Sequence, residues 1–182
     1  ASFTRPASPV GEPVRPPSAP AVVLAPVAPV DIDALFTSAS KAPKGWLIVL
    51  AGPPKYGKTT FFLGAPRPTW ILTDRGGLKS APDSTPRMVP DNWEAIVSTL
   101  TALRDRPHSF GAVVIDTQFK AETMLIRHLC AKSKVDSFRK VGGGYATPYE
   151  WLAAEINRVI DLLIALNDKG IHTIVISQTE VR

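Results

Sequence analysis

The sequence predicts an α/β fold in which a mainly parallel sheet is flanked by helices. Four short apolar runs typical of buried strands alternate along the chain with segments of helical periodicity. The 182 residues are 45% hydrophobic and 20% charged, as in a globular protein that is long enough to form one core. We assign this domain to residues 44–182, because the residues before it differ in composition.

Residues 1–43 are predicted to be a flexible, disordered arm. Nine of the eighteen prolines fall in this segment. Proline fixes φ, removes a backbone donor and biases its neighbours toward extended shapes, so regular structure is not expected there. Docking of the segment into an aromatic groove of a partner is the alternative. Residues 31–40 could add a short helix or docking segment before the domain begins.

The first apolar run, WLIVLA, is expected to be a strand covered on both faces because all six residues are apolar. Three later runs are interpreted in the same way. The four predicted strands cover residues 46–51, 69–74, 111–116 and 171–178. Each is followed by a loop or by a helical segment, which is the pattern of a parallel sheet.

Two long helices are predicted between these strands, over residues 91–106 and 147–170. Asp91 and Glu94 have the spacing of a capping box at the start of the first helix. Thr147 is the predicted cap of the second helix.

Residues 50–60, LAGPPKYGKTT, contain the G-x-x-x-x-G-K-[ST] pattern of a phosphate-binding loop, placed between a predicted strand and a predicted helix. The backbone N–H groups of such a loop converge on phosphate oxygens. Lys58 is predicted to contact the β- and γ-phosphates, and the hydroxyl of Thr59 to ligate Mg²⁺. The predicted nucleotide-binding residues are Gly52, Pro53, Pro54, Lys55, Tyr56, Gly57, Lys58, Thr59 and Thr60.

Three polar residues end predicted strands, and the carboxyl ends of parallel strands meet at one edge of a sheet. Asp116 ends GAVVID in the form of a Walker B strand and is predicted to bind magnesium together with Thr59. Asp74 is predicted to polarise the attacking water, with a turn residue as the alternative. Gln178 is predicted to sense the terminal phosphate, with a polar strand end as the alternative. Lys58 completes the predicted catalytic set.

A basic segment precedes the second long helix and is the predicted DNA-binding site. Cations contact phosphates, and an aromatic ring on a loop can stack on an unpaired base. The formal net charge of +5 is compatible with a polyanionic partner. The alternative is a solvated basic loop with a glycine hinge. The predicted DNA-binding residues are Lys132, Lys134, Arg139, Lys140 and Tyr145.

Other classes of site and location are disfavoured. The three histidines have no metal-ligand spacing, and the single cysteine, Cys130, excludes an internal disulfide and fits a reducing compartment. No signal-peptide pattern and no apolar run of membrane-spanning length is present, so we expect a cytoplasmic protein without a membrane partner.

The order of these motifs resembles the RecA-like ATPase core. Four segments are similar, more closely, to phage-encoded RecA-like nucleotide-binding proteins, a group that includes the Sak-type single-strand annealing proteins. These segments are AGPPKYGKTTFFLGAPRPTWILTDRGGL, VVIDT, HLCAKSKVDSFRKVGGGYATPYEWLAAEINRVIDLL and KGIHTIVISQTEVR. The resemblance covers about residues 44–182. It implies a Mg²⁺-dependent, DNA-stimulated ATPase that binds single-stranded DNA in phage recombination or annealing.

The resemblance also implies a homo-oligomer with ATP at subunit interfaces, a neighbouring subunit that supplies a catalytic arginine or lysine, and a single-strand-binding or recombination protein as partner. It would place the protein in the host cytoplasm. Related folds continue with more strands after the position of Gln178, so we expect a domain truncated at its C-terminus.

Two departures from the family pattern bear on activity. The family more often has Glu where Asp74 stands, and GGGYATPY lacks the glycine and lysine expected after the tyrosine. One alternative is therefore a nucleotide-switched DNA-annealing or loading protein with little hydrolysis. Another is a P-loop kinase of a small metabolite, which is disfavoured because the sequence has no acceptor or lid pattern.

Overall fold

The computed structural model describes residues 45–74, 76 and 81–179. The predicted arm lies outside the described residues. Within these residues, five strands and four α-helices follow one another in chain order, with a 3₁₀ segment at Phe138–Gly143. They are β1 (Leu47–Gly52), α1 (Lys58–Phe62), β2 (Pro68–Leu72), β3 (Arg87–Met88), α2 (Trp93–Asp105), β4 (Ala112–Asp116), α3 (Gln118–Ser133), α4 (Thr147–Asp168) and β5 (His172–Gln178).

The five strands form one sheet in the order β1-β5-β4-β2-β3, and every pairing in it is parallel. The predicted α/β fold with a parallel sheet flanked by helices is therefore confirmed. Strand β5 lies between β1 and β4, so it separates the strand before the phosphate loop from the strand that ends in Asp116. Strand β3 was not predicted because its two residues are too short for a hydrophobic pattern.

Helices α2, α3 and α4 cover one face of the sheet, and α1 lies on the other. Alternate residues of a strand point to opposite faces. Ile71, Val113 and Ile115 pack with the three long helices, whereas Trp70, Leu72, Ala112, Val114, Ile174 and Ile176 pack with Phe62 of α1. Each face of the central strands is thus buried. Among the described residues, no helix is both long and apolar enough to cross a membrane.

Strand β1 does not have the burial that its sequence suggested. Trp46 is 68% exposed and Val49 is 61% exposed, while Leu47 and Ile48 are 41% and 37% exposed. The expectation of a strand covered on both faces is therefore wrong. In the described part of the chain, β1 lies at the edge of the sheet and pairs with β5 alone.

Strand β1 is held at its start by the turn between α4 and β5. The N–H of Gly45 donates to the carbonyl of Asn167 at 3.0 Å, and the buried Asn167 amide donates to the carbonyl of Trp46 at 3.2 Å. The N–H of Trp46 donates to Nδ1 of His172 at 3.2 Å. The carbonyl of Ile171 leaves no room for a side chain at position 45, because an added Cβ would lie 2.3 Å from it.

Helix α3 was missed by the sequence interpretation. Its buried residues, Ala121, Leu125 and Leu129, recur every fourth position, which is a helical repeat. The polar residues between them hid this weak stripe. Because α3 is 16 residues long, it extends about 24 Å from its first to its last residue.

The predicted caps of both long helices are also corrected. The N-cap of α2 is Asn92 rather than Asp91, and its side-chain oxygen accepts the N–H of Ala95 at 2.9 Å. The N-cap of α4 is Ala146, so Thr147 is the first helical residue and makes no capping bond. A Cβ added to Gly142 would lie 2.5 Å from the Thr147 methyl carbon, which shows how closely the preceding turn packs on this side chain.

Candidate nucleotide-binding site

The phosphate-loop sequence forms the connection between β1 and α1. Gly52 is the last residue of β1, and Gly57 directly precedes Lys58, the first residue of α1. Both glycines of the motif therefore lie at element boundaries. Gly57 has φ of +75°, in the left-handed region that a residue without Cβ adopts most readily. Its carbonyl accepts the N–H of Phe61 at 2.8 Å and so begins the helix. The strand–loop–helix context that the motif requires is therefore present.

Lys58 is a buried cation inside this loop, with only 9% of the residue exposed. Its ammonium donates to the carbonyls of Gly52 and Pro53 at 2.6 and 2.5 Å. Within the described ranges, no carboxylate forms a salt bridge with it. A buried cation that meets only carbonyl dipoles is an incomplete arrangement, and a phosphate group in the loop would complete it.

Thr59 and Asp116 connect the phosphate loop to β4. The Thr59 hydroxyl donates to Oδ2 of Asp116 at 2.7 Å, although 57 positions separate the two residues. Asp116 is only 3% exposed. The predicted pair of magnesium-binding residues is thus brought together, and its oxygen donors suit Mg²⁺, which takes one or two carboxylates together with water and phosphate oxygens.

The surroundings of Asp116 favour its protonated form. Burial raises the pKa of this carboxyl above its ordinary value, and the negative charge of Asp74 raises it further. The hydrogen bond from Thr59 and the positive charge of Lys58 act in the opposite direction. A divalent cation beside Asp116 would favour the carboxylate in the same way as Lys58, but with twice the charge.

Asp74 lies beside Asp116 because β2 and β4 are neighbours. The backbone N–H groups of Thr73 and Asp74 both point at the carbonyl of Asp116, at 2.9 and 3.3 Å. Oδ1 of Asp74 accepts the N–H of Gly76 at 3.0 Å, which is the local bond of an Asx turn. Asp74 therefore does make the turn contact that was the alternative interpretation, and its other carboxylate oxygen forms no hydrogen bond with the residues that the structure describes.

Gln178 is the last residue of β5 and pairs in register with Gly52. The N–H of Thr179 donates to the carbonyl of Gly52 at 3.1 Å, so the end of β5 is joined to the beginning of the phosphate loop. The side chain of Gln178 is exposed. Its strand end lies between those of β1 and β4, at the same edge as the loop and Asp116.

The predicted DNA-binding segment begins in the last turn of α3, at the end of the helix away from Asp116. Lys132 is in the last turn of α3 and Lys134 ends the helix in the left-handed region. Arg139 and Lys140 belong to the 3₁₀ segment. The expectation that this segment begins close to the γ-phosphate is therefore wrong, because the 16 residues of α3 come between.

The glycine turn after the 3₁₀ segment is a run of residues with positive φ. Gly142, Gly143 and Gly144 have φ of 60°, 93° and 87°, and Tyr145 follows at 57°. Only glycine adopts such values readily, so the three glycines are needed for this path. The turn leaves the Tyr145 side chain fully exposed.

Two cations of this segment contact other side chains. Lys140 forms an exposed ion pair with Asp136, with 2.9 Å between Nζ and Oδ1. The ammonium of Lys132 lies 5.8 Å from the centroid of the Trp151 ring, within the range of a cation–π contact. The sequence interpretation did not include Trp151 in the basic segment. The one sequence feature that pointed to this residue was its position one turn into α4, close to the glycine turn.

Comparison with known proteins supports the same interpretation of the phosphate loop. The comparison with curated proteins finds no match to the chain. The family model described as "AAA domain" matches residues 44–182, well over half of the sequence. With a phosphate loop and Asp116 at the same edge of a parallel sheet, the chain belongs to the AAA domain family of P-loop NTPases.

Proposed function

We propose that the chain is a Mg²⁺-dependent ATPase that acts on single-stranded DNA in phage recombination or annealing. The observation that carries the ATPase is the 2.7 Å hydrogen bond between Thr59 and Asp116. It joins the two residues that a P-loop enzyme needs around its metal ion, one from the first turn of α1 and the other from the end of β4.

The loop residues fit the triphosphate of ATP. Residues 52–60 would surround the β- and γ-phosphates with backbone N–H groups. Lys58 would exchange its two carbonyl contacts for phosphate oxygens, which are the stronger partners for an ammonium group. Bound Mg²⁺ would neutralise charge on the β- and γ-phosphate oxygens.

Asp74 and Gln178 would act on the terminal phosphate. Asp74 would accept a hydrogen bond from the attacking water with the oxygen that Gly76 does not use. The Gln178 side chain would contact the γ-phosphate and so make the end of β5 sensitive to its presence. The next residue, Thr179, already connects this strand end to the phosphate loop through its hydrogen bond to Gly52. An arginine or lysine from a second subunit would complete the charge stabilisation in a homo-oligomer with ATP at its interfaces.

Single-stranded DNA is the proposed polymer because of the segment from Lys132 to Tyr145. Exposed cations there would bind phosphates, and the fully exposed ring of Tyr145 would stack on a base. The length of α3 implies that nucleotide and DNA would influence each other through this helix rather than by direct contact. A single-strand-binding or recombination protein is the proposed further partner.

ATP hydrolysis measured with and without single-stranded DNA tests this function. We expect DNA to increase the rate. Tight nucleotide binding with little hydrolysis in both conditions would favour the nucleotide-switched annealing or loading protein, which the shorter side chain of Asp74 makes the second candidate. Transfer of phosphate to a small metabolite, without any response to DNA, would contradict the proposal.

Removing the four cations of the basic segment should weaken binding of single-stranded DNA by the same factor for every DNA sequence. We expect changing Lys132, Lys134, Arg139 and Lys140 to glutamine to reduce the slope of log K against log salt, which is about 0.7 per neutralised phosphate for a single strand. Lys140 should contribute least because Asp136 already pairs with it. The measurement is a salt titration of single-stranded DNA binding with ATP present.

The matched control for this variant changes four exposed arginines elsewhere to glutamine and removes the same formal charge. These arginines are Arg67, Arg87, Arg106 and Arg158. If both variants reduce the slope equally, only the net charge matters and the basic segment is not the DNA site.

Replacing Tyr145 with alanine should cost about 1–3 kcal/mol of single-stranded DNA binding, because one stacking contact is removed. The salt slope should stay at its wild-type value, since no charge changes. Tyr145→Phe keeps the ring and should bind like wild type. Equal affinity of all three proteins would show that this ring does not contact a base.

A further inference from the structure

Thr73 forms an unusual side-chain link between the ends of β2 and β4. It follows directly after β2 and is only 7% exposed. Its hydroxyl donates to the carbonyl of Thr117 at 2.7 Å and accepts the N–H of the same residue at 2.7 Å. One hydroxyl thus bonds both backbone groups of Thr117, as a paired strand residue would, and the Thr117 carbonyl also accepts the N–H of Ala121 at 3.2 Å.

This link lies between the two carboxylates of the candidate site. Thr73 directly precedes Asp74, and Thr117 directly follows Asp116. The ladder between β2 and β4 ends where Leu72 pairs with Asp116, so ordinary strand pairing does not reach Asp74. The Thr73 side chain, together with the backbone bonds to the Asp116 carbonyl, continues the connection by one residue.

We infer that Thr73 is a positioning residue that fixes the distance between the carboxylates of Asp74 and Asp116. The inference rests on the proposed function, since the two carboxylates are assigned there to the water and to the magnesium ion. Thr73 itself would touch neither phosphate nor metal, because its hydroxyl is already used by Thr117. Both partners of that hydroxyl are backbone groups, so the link does not depend on the rotamer of a second side chain.

A hydroxyl is the smallest side-chain group that can both donate and accept at this position. Valine has nearly the same shape as threonine but would leave the N–H of Thr117 without its buried partner, while the Thr117 carbonyl would keep the N–H of Ala121. The end of β4 would then move to reach water or another partner. Serine keeps the hydroxyl and removes only a methyl group.

The test compares Thr73→Val, Thr73→Ser and a matched control, Thr173→Val, with wild type. Thr173 is fully buried in the same sheet, and its hydroxyl accepts the side-chain N–H of Asn167 at 3.0 Å. It lies near the start of β5, at the opposite edge of the sheet from the candidate site. Both valine variants lose a buried hydrogen bond, so both should melt at a lower temperature than wild type.

Two measurements distinguish positioning from a general loss of stability. The first is amide exchange of Thr117 and Asp74 in the nucleotide-free protein, which should accelerate in Thr73→Val alone. The second is the Mg²⁺ concentration for half-maximal ATP hydrolysis, with nucleotide binding measured separately in EDTA. We expect Thr73→Val to need about tenfold more Mg²⁺, as for loss of a residue that orients a metal ligand, with its metal-free nucleotide binding unchanged. Thr73→Ser and Thr173→Val should need the same Mg²⁺ as wild type.

Equal Mg²⁺ requirements of Thr73→Val and Thr173→Val would overturn the inference while leaving the proposed ATPase intact. Unchanged exchange of the Thr117 amide in Thr73→Val would overturn it as well. If wild type neither binds nor hydrolyses ATP with Mg²⁺, the proposed function fails and the positioning role fails with it.

Discussion

Replacing Lys58 with alanine is expected to lower ATP affinity or turnover tenfold or more, which corresponds to at least about 1.4 kcal/mol. Lys58 is the buried cation of the loop, and its ammonium lies on the carbonyls of Gly52 and Pro53 at the end of β1. Alanine leaves the loop with backbone donors only. Equilibrium binding of ATP and steady-state hydrolysis both measure the loss.

Lys55→Gln is the control for this prediction, because it removes an exposed positive charge from the same loop. We expect it to bind ATP almost as wild type does, because the proposed contribution of Lys55 to phosphate binding is its backbone N–H, which glutamine keeps. Unchanged binding and hydrolysis in Lys58→Ala would show that the loop does not hold phosphate. Equal losses in the two variants would mean that overall loop charge, rather than the Lys58 position, is responsible.

Changing Asp116 to asparagine should lower the rate of ATP hydrolysis and raise the melting temperature. Hydrolysis should fall by about 10- to 100-fold, because the amide is a poor partner for magnesium and its water. The amide oxygen can still accept the Thr59 hydroxyl, so the link between the loop and β4 remains. Removing a buried charge should raise the melting temperature of the nucleotide-free protein at neutral pH.

The gain in melting temperature should depend on pH, because the pKa of Asp116 is raised above its ordinary value, chiefly by burial. The unfolded chain gives up this proton near the ordinary value of about 3.9, whereas the folded protein keeps it to higher pH. Wild type therefore loses stability as pH rises from that value through the raised pKa. The advantage of Asp116→Asn should shrink as the pH is lowered.

Melting curves of both proteins between acidic and neutral pH, without nucleotide or magnesium, test this. Asp83→Asn is the control, since the Asp83 side chain is fully exposed and should melt like wild type at each pH. An Asp116→Asn variant that melts below wild type at neutral pH would show that the carboxylate stabilises the fold.

The sequence was sufficient to predict the sheet and the main parts of the site, because both depend on local patterns. Apolar runs located the four long strands to within one or two residues. The spacing from Gly52 to Thr59 located the loop, and the end of the GAVVID run located Asp116. Asp116 was expected to bind magnesium together with Thr59 because parallel strand ends meet at one edge of a sheet, but the hydrogen bond between the two side chains was not predicted.

The structural features that were not predicted from the sequence depend on tertiary context. The apolar run of β1 is the same whether the strand is central or at an edge, so its exposure was not predictable. Asn92 rather than Asp91 caps α2 because one residue of register decides which side chain reaches Ala95. The hydrogen-bonded link between Thr73 and Thr117 has no sequence pattern at all, since it joins two strand ends 44 positions apart.

The exposed edge of β1 has a consequence for how self-association of this protein is interpreted. An unpaired strand edge with large apolar side chains is a template for pairing with other chains. Val49 and the residue directly before the strand, Trp46, are each more than 60% exposed, which makes β1 an aggregation-prone element of the described structure. Aggregates that form through β1 would grow with protein concentration whether or not nucleotide is present, whereas an oligomer bridged by ATP would require the nucleotide and Lys58. A high apparent mass alone is therefore no evidence for the functional assembly.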